Sequence, residues 1–599
     1  MLFNIQEMSA TDHAKFGNGI VKDGEPEAVR VRIEIMNETG ARSVVPFDGM
    51  IPADAYLWGK YVDDKALQER LLHITQHTMD HHRGYYGEIG ERCVIKNTSI
   101  VKDVKIGTDC YIKGASKLKN ITINSSHNEP TQIGENVILV NGIVGYGCRI
   151  FYSCTAVKFI LGNNSNFKYG ARLINSIMGD NSTISCCEVL NNLIFPGHEQ
   201  HHNNSFLIAS TIMGQSNMAA GATIGSNHNS RTNDGELVAG RGFWPGLCSS
   251  VKHSSRFASF TLLAKGDFPA ELNIALPFAL VSNNVAADRL EIMPAYWWLY
   301  NMYALARNTW KYHTRDKRKT KVQNIEFDTF APDTMQEVIE ARKLLELWTA
   351  KSYLKTQDET QPSLDDENTL METGRRLLNG ERKVVDNLTI LGYGMENSRR
   401  PVHLLKVYDA YHAYGDMLIH YAMSNMLNNE EKACAIMSHN HSLATTPQQA
   451  QEWINLGGQL VMNSDVDALR QDICNGTLNS WEAIHNRYNE LWNRYPTDKL
   501  HHSLHALETV MGGTMDSATW QQALAHAERI QRHISEQVFL SRKKDHDNLY
   551  RTSTCRNADE AIAIYGTVEE NSFVNKVREE SAANLLKIER LKKALQQEV

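Results

Sequence analysis

Ile89-Gly90-Glu91-Arg92-Cys93-Val94 and Ile106-Gly107-Thr108-Asp109-Cys110-Tyr111 share one plan: an aliphatic residue, a glycine, then polar residues. The plan returns at Ile133-Gly134-Glu135-Asn136-Val137-Ile138 and at Ile224-Gly225-Ser226-Asn227. Degenerate copies stand at Ile160-Leu161-Gly162, Ile177-Met178-Gly179-Asp180 and Ile212-Met213-Gly214-Gln215. The underlying period is six, and a repeat must be read first because it decides the fold. A short flat strand turns one aliphatic side chain inward, glycine frees the backbone for a corner, and Cys, Ser or Ala fits inside the next corner. Stacked coils then bury one another's aliphatic rows. Sandwich turn signals recur at about 8 to 12 residues instead. Residues 87–265 are therefore expected to form a parallel β-helix, and any active site is expected on its surface. Asn-rich stretches after Ile123 and around Asn163 and Asn191 break the hexads, which predicts bulging loops there.

These units resemble the left-handed β-helix, hexapeptide-repeat superfamily, whose best-known members are trimeric acyltransferases. The resemblance spans about a third of the chain. It implies a left-handed coil and a homotrimer, whereas the general chirality rule favours right-handed connections. With its His-rich loop and long helical C-terminal part, the sequence also resembles an uncharacterised hexapeptide-repeat family of gut Bacteroidetes, which supports the layout and supplies no reaction.

The chain has 599 residues, long enough for two to four domains. Its 42% hydrophobic and 22% charged residues are those of a globular protein. A net charge of −7 gives no global field toward nucleic acid or anionic membranes, so any basic patch must be local. The N-terminus lacks the basic and apolar regions of a signal peptide, and no run of about 18 apolar residues occurs. The expectation is a cytoplasmic protein with a small-molecule substrate, binding neither nucleic acid nor membrane. Ten cysteines follow no paired CxxC spacing and read as small, reduced core residues. Cys186 and Cys187, adjacent on a strand, point to opposite faces and make a poor metal pair.

The fold class expected is mixed: a small α+β N-terminal cap (1–86), the left-handed β-helix (87–265), a connecting segment with an amphipathic helix (266–325) and a large α-helical C-terminal domain (326–599). Residues 28–35 alternate like a half-exposed strand, and 66–82 read as a helix. Pro294 can start a helix carrying Trp298, Met302, Leu305 and Thr309 on one side. The neighbouring aromatics, Tyr296 to Tyr303, read as packing against the β-helix end. The basic run from Lys311 to Lys321 reads as a solvated linker or as a dock for a phosphate-bearing cofactor or acidic carrier protein. Residues 356–368 read as a polar linker. In the helical part, Leu404, Tyr408, Tyr411, Gly415 and Leu418 make one stripe and Leu585, Ile588, Leu591 and Leu595 another. His412 and His420 read there as satisfied packing residues, and no catalytic motif is evident.

The densest polar groups are Pro196-Gly197-His198-Glu199-Gln200-His201-His202-Asn203-Asn204 and the segment from Gly225 to Glu236. For acyl transfer, a near-neutral histidine takes the proton from an attacking hydroxyl or amine of a sugar or small metabolite, and a backbone N–H holds the oxyanion. His228 is the first choice of base, with Asp234 or Glu236 orienting it and His198 and Glu199 as further catalytic candidates. His201, His202, Asn203, Asn229, Arg231, Arg241 and Trp244 are candidate substrate contacts, the donor being an acyl-CoA or acyl-carrier thioester. A second reading follows the carbonic-anhydrase-like members of the resembled superfamily. His198, His201, His202 and His228 would bind zinc or another divalent metal for a lyase or hydrolase, lowering a bound water's pKa to about 7. His198-Glu199-Gln200-His201-His202 formally matches H-E-x-x-H, but its strand-and-turn surroundings deny the helix a zinc protease needs. A third reading is a non-catalytic trimeric scaffold.

Overall fold

The computed structural model describes residues 1–10, 31–79, 87–229, 231–356, 366–438, 452–513 and 515–597. Residues 28–30 of the expected N-terminal strand, the end of the helix toward residue 82, and 357–365 of the polar linker lie outside them.

The repeat region is a parallel β-solenoid of about 11 turns. Pairings such as Ile95 with Ile112, Ile133 with Ile150, Ile150 with Phe167 and Phe167 with Ile184 set the coil at seventeen residues, one short of three hexads. Ile112, Ile133, Ile150, Phe167 and Ile184 fill the lumen with no exposed surface. A second inward row stacks at one corner. Cys110, Thr131, Cys148, Ser165, Ser182, His198 and Ser216 each accept a backbone N–H from the coil before. The small corner side chains expected from the repeat are thus in place, and all ten cysteines are free thiols.

Two coils are longer. Tyr111 pairs with Gln132 across an insertion at 124–131, and Ile224 with Val251 across one at 225–236. The loops expected around Asn163 and Asn191 are instead tight corners. Asn164, Asn181 and Asn191 take the left-handed conformation, and the Asn164 side chain bonds that of Asn181 at 2.7 Å. Asparagine tolerates that backbone better than other residues with a Cβ, so an Asn-rich stretch here marks a corner rather than an insertion.

Parallel pairing continues past residue 265 to Asn273–Ile274 and Leu280–Asn284. The last sheet then takes Arg289–Met293 and, from the helical part, Val402–Leu404. Trp297 donates to the Phe260 carbonyl at 2.8 Å and Tyr414 to that of Pro277 at 2.7 Å. One apolar core therefore runs from the lumen into the helices. The expected amphipathic helix is broken at Asn301 into Tyr296–Tyr300 and Met302–Arg315.

The N-terminal segment supplies a short antiparallel pair, Ile33–Glu34 with Ser43–Val44, and helices Pro52–Lys60 and Lys65–Thr78. It packs on the solenoid's flank, where the outward row Ile143, Ile160, Ile177 and Leu193 is buried under it and under the Trp453–Leu456/Gln459–Met462 hairpin region. Among the described residues no helix is long and apolar enough to cross a membrane.

Candidate functional site

His198 occupies the inner corner position that smaller residues hold on neighbouring coils, and it is fully buried. Its Nδ1 lies 2.8 Å from Ser216 Oγ and its Nε2 3.1 Å from the Gln200 side-chain oxygen, while Gln200 donates to Ser205. Burial pushes the imidazole pKa down to about 4. Glu199 points outward, against the helix Met302–Arg315, and pairs with Lys311 and Arg315. Burial alone would raise its pKa, but the two cations hold it below the usual value. His201 and His202 lie on the exposed side with ring centroids 4.4 Å apart and planes tilted by 43°, and Asn203 is exposed beside them.

The 225–236 loop folds on itself. Asn227 donates to Asp234 at 2.7 Å, Asn229 and Arg231 continue a chain of side-chain-to-backbone bonds, and His228 stands exposed with Nε2 3.2 Å from Ser250 Oγ on the next coil. Glu236 is bound in a two-point pair to Arg42 and accepts from Asn37, tying the loop to the N-terminal segment. Arg241 is buried against Asp333, Gln215 and the Asp328 carbonyl. Trp244 packs on Trp297. The candidate residues of the two polar segments are thus divided between lumen, flank and loop. His198, His201, His202 and His228 do not converge, and among the described residues no group of three or more His, Cys, Asp or Glu is arranged to hold a metal ion.

The basic run is not a loose linker, although His313, Arg315, Lys317, Lys319 and Lys321 stay exposed along it. Beyond the 302–315 helix, residues 316–331 form a strap along one solenoid corner. Arg318 is 4% exposed between Asp180 and Asp316. Glu129 accepts from Lys319 and Thr320, and Gln215 donates to the Glu326 carbonyl.

Where the strap turns back, it closes the floor of a cavity of about 520 Å³ between the 302–315 helix and the helices Val407–Leu427, Trp481–Met511, Ser517–His546 and Ser572–Gln597. That volume suits a metabolite-sized ligand. Trp298, Trp310, Phe330 and Phe573 line it. At its polar end Asp328 lies 2.7 Å from Lys499 Nζ and 3.5 Å from His313 Nε2, and Lys499 also pairs with Glu326 at 2.9 Å. The hydrogen bond to Asp328 raises the His313 pKa against the effect of burial. Burial would raise the Asp328 pKa, but His313 and Lys499 hold it well below the usual range. His420, wedged against Trp298 and Phe330, is kept neutral by burial, which lowers its pKa to about 4. Lys576, Glu580, Asn425, Asn428 and Asn584 complete the wall.

Residues 1–348 match the family described as Domain of unknown function (DUF4954), and residues 438–594 match Domain of unknown function (DUF6819). The chain belongs to the DUF4954 family. A protein of Treponema pallidum (strain Nichols), described as an uncharacterized protein, is 48% identical to it over 584 residues, covering 97% of this chain and 79% of that one. In this DUF4954 chain the cavity forms where the two matched regions meet: His313 and Asp328 come from the first, Lys499 and Lys576 from the second. Sequence reading passed over these residues. They are far apart in the chain, form no local motif, and only His313 lay in a stretch already singled out.

Proposed function

We propose that this protein binds a small organic molecule with a ring or apolar body and an anionic or hydroxylated end in the interhelical cavity, and that His313 transfers a proton there. The supporting observation is the meeting of four aromatic walls with the His313–Asp328–Lys499 cluster in one ligand-sized space. Asp328 orients the imidazole and stabilises its cationic form. A charged His313 can donate to a substrate oxygen and take the proton back. Lys499, held by two carboxylates, is an electrostatic anchor rather than a nucleophile.

A second reading, acyl transfer from an acyl-CoA or acyl-carrier donor, has its own support in the 225–236 insertion, which presents His228 on the solenoid surface beside Ser250. With it go left-handed coiling, for which a coil close to three hexads is the support, the N-terminal α+β cap, and a trimer. Such a trimer must use solenoid faces other than the one that the chain itself covers.

One experiment separates the two. Thermal unfolding is followed with a panel of aromatic acids, nucleotides, coenzyme A and acetyl-CoA, because a ligand that binds only the folded state raises its Tm. The cavity reading expects stabilisation by a ring-bearing anion, lost in Trp310→Ala and weakened in His313→Gln. Stabilisation by the CoA compounds that survives Trp310→Ala but not His228→Ala would favour transfer on the solenoid. A panel without any response lost in Trp310→Ala would remove the cavity reading.

A further inference from the structure

One solenoid corner spends a strained backbone on exposed aromatic rings. Tyr152 and Tyr169, on neighbouring coils, both take the left-handed conformation with φ of 63° and 55°. That conformation is an outlier for bulky residues and is costly wherever packing does not repay it. On other coils the same corner is turned by Asn97, Gly114, Asn136 and Asn204, residues that bear it cheaply, and by the much smaller Cys186. Burial does not repay the two tyrosines, because they are 50% and 57% exposed. Their rings instead stack on each other, centroids 5.2 Å apart and planes within 15°, and form a platform at the surface.

The coils that carry the platform are rich in positive charge. Residues 92–172 hold eleven Lys and Arg against four Asp and Glu, in a chain whose net charge is −7. Beside the rings, Arg149 and Lys168 lie on adjacent coils, where Arg149 pairs with Asn166 and Phe151 with Lys168 in the strand register. The Lys168 ammonium is disfavoured first by partial burial and then by Arg149 itself. Lys113 and Arg172 flank the patch, each with one carboxylate, Glu135 and Glu188. Two like charges side by side next to stacked rings suit an anionic polymer whose units carry flat rings.

We infer that the corner formed by Tyr152 and Tyr169, with Arg149 and Lys168 beside it, is a binding surface for single-stranded nucleic acid. A base continues the tyrosine stack, and the flanking phosphates neutralise the two cations, the combination by which sequence-tolerant single-strand binders work. The surface is separate from the interhelical cavity and does not depend on the function proposed for it.

The test is fluorescence anisotropy of the full chain with labelled single-stranded oligonucleotides of about 12 nucleotides, within the range of known single-strand sites. Tyr152→Asn with Tyr169→Asn is the decisive variant. Asparagine already turns this corner on other coils, so the fold and Tm should be kept or improved. Binding at low salt should weaken about tenfold or more in that variant. Arg149→Gln with Lys168→Gln should flatten the slope of log affinity against log salt by about 1.4, two phosphate contacts on a single strand. The inference is overturned by no saturable binding at low salt, by equal binding of wild type and the Asn variant, or by equal affinity for duplex DNA, which would leave charge alone. A change of sedimentation coefficient in the Asn variant without loss of oligonucleotide binding would make the corner a contact between copies of the chain and would equally overturn it.

Discussion

His198 and His228 belong to two segments that are both dense in polar residues, and nothing in either segment tells which histidine turns inward. The difference is the direction of the side chain at a corner. His198 points into the lumen and is held by Ser216 and Gln200. His228 sits at φ 59° in an inserted loop and points out. A buried imidazole at a pKa of about 4 is a stability element with a definite sign. The unfolded chain takes its proton near pH 6.5 and the folded chain only near 4, so the stabilisation present above pH 6.5 is lost as pH falls through that window, about 3 kcal/mol for a full shift. His198→Ser should therefore cost about 1–3 kcal/mol near neutral pH, through the unpaired Gln200 oxygen and the space left behind. The variant should also lose less stability than wild type between pH 6.5 and 4.5. Urea midpoints measured at both pH values check this, and an unchanged difference would show that His198 is not buried in the neutral form.

The 316–331 strap shows how an element escapes sequence reading. It has no periodicity, and its run of lysines and arginines matches the composition of a solvated linker. Its structure comes from partners more than a hundred residues away: Asp180, Glu129, Gln215 and Asn163 each bind it. Arg318 is the centre of this docking. Removing it leaves Asp180, whose pKa burial already raises, buried without its cation. Breaking a buried pair from one side costs about 3–5 kcal/mol. Arg318→Met should lower Tm by several degrees, and adding Asp180→Asn should recover part of the loss, because the two sites are coupled. A Tm for Arg318→Met equal to wild type would mean that the strap does not clamp the solenoid. Since the strap also forms the cavity floor, ligand response in the panel above should fall with it.

At the scale of the molecule the solenoid's faces are unequal. Ile143, Ile160, Ile177 and Leu193 lie under the chain's own flanking segments. Around the corner at Lys158, the outward row Val140, Val157, Ile174 and Leu190 is only partly buried. If the proposed trimer forms, that row is the apolar face left for it. Val157→Lys should then convert the trimer to monomer, seen by sedimentation, with the fold intact. Ile160→Lys, three residues on, should instead destabilise the chain itself, because it places a charge in a core. Wild-type protein that sediments as a monomer would remove the trimer.

The repeat was legible because its cause is local: each hexad places one aliphatic residue and one corner, so periodicity alone predicts stacked coils, and the same holds for the helical stripe around Tyr411 and Leu418. The small inward Cys and Ser residues were legible for the same reason. What the sequence could not give is what depends on a third partner. Whether a histidine enters the lumen or the solvent is decided by coil register. Whether Asn163 and Asn191 mark a loop or a corner depends on backbone that only stacking fixes. The cavity depends on His313, Asp328, Lys499 and Phe573 arriving from four places in the chain. Local pattern encodes elements through spacing, whereas a site assembled from distant residues has no spacing to read and exists only once tertiary packing has brought its members together.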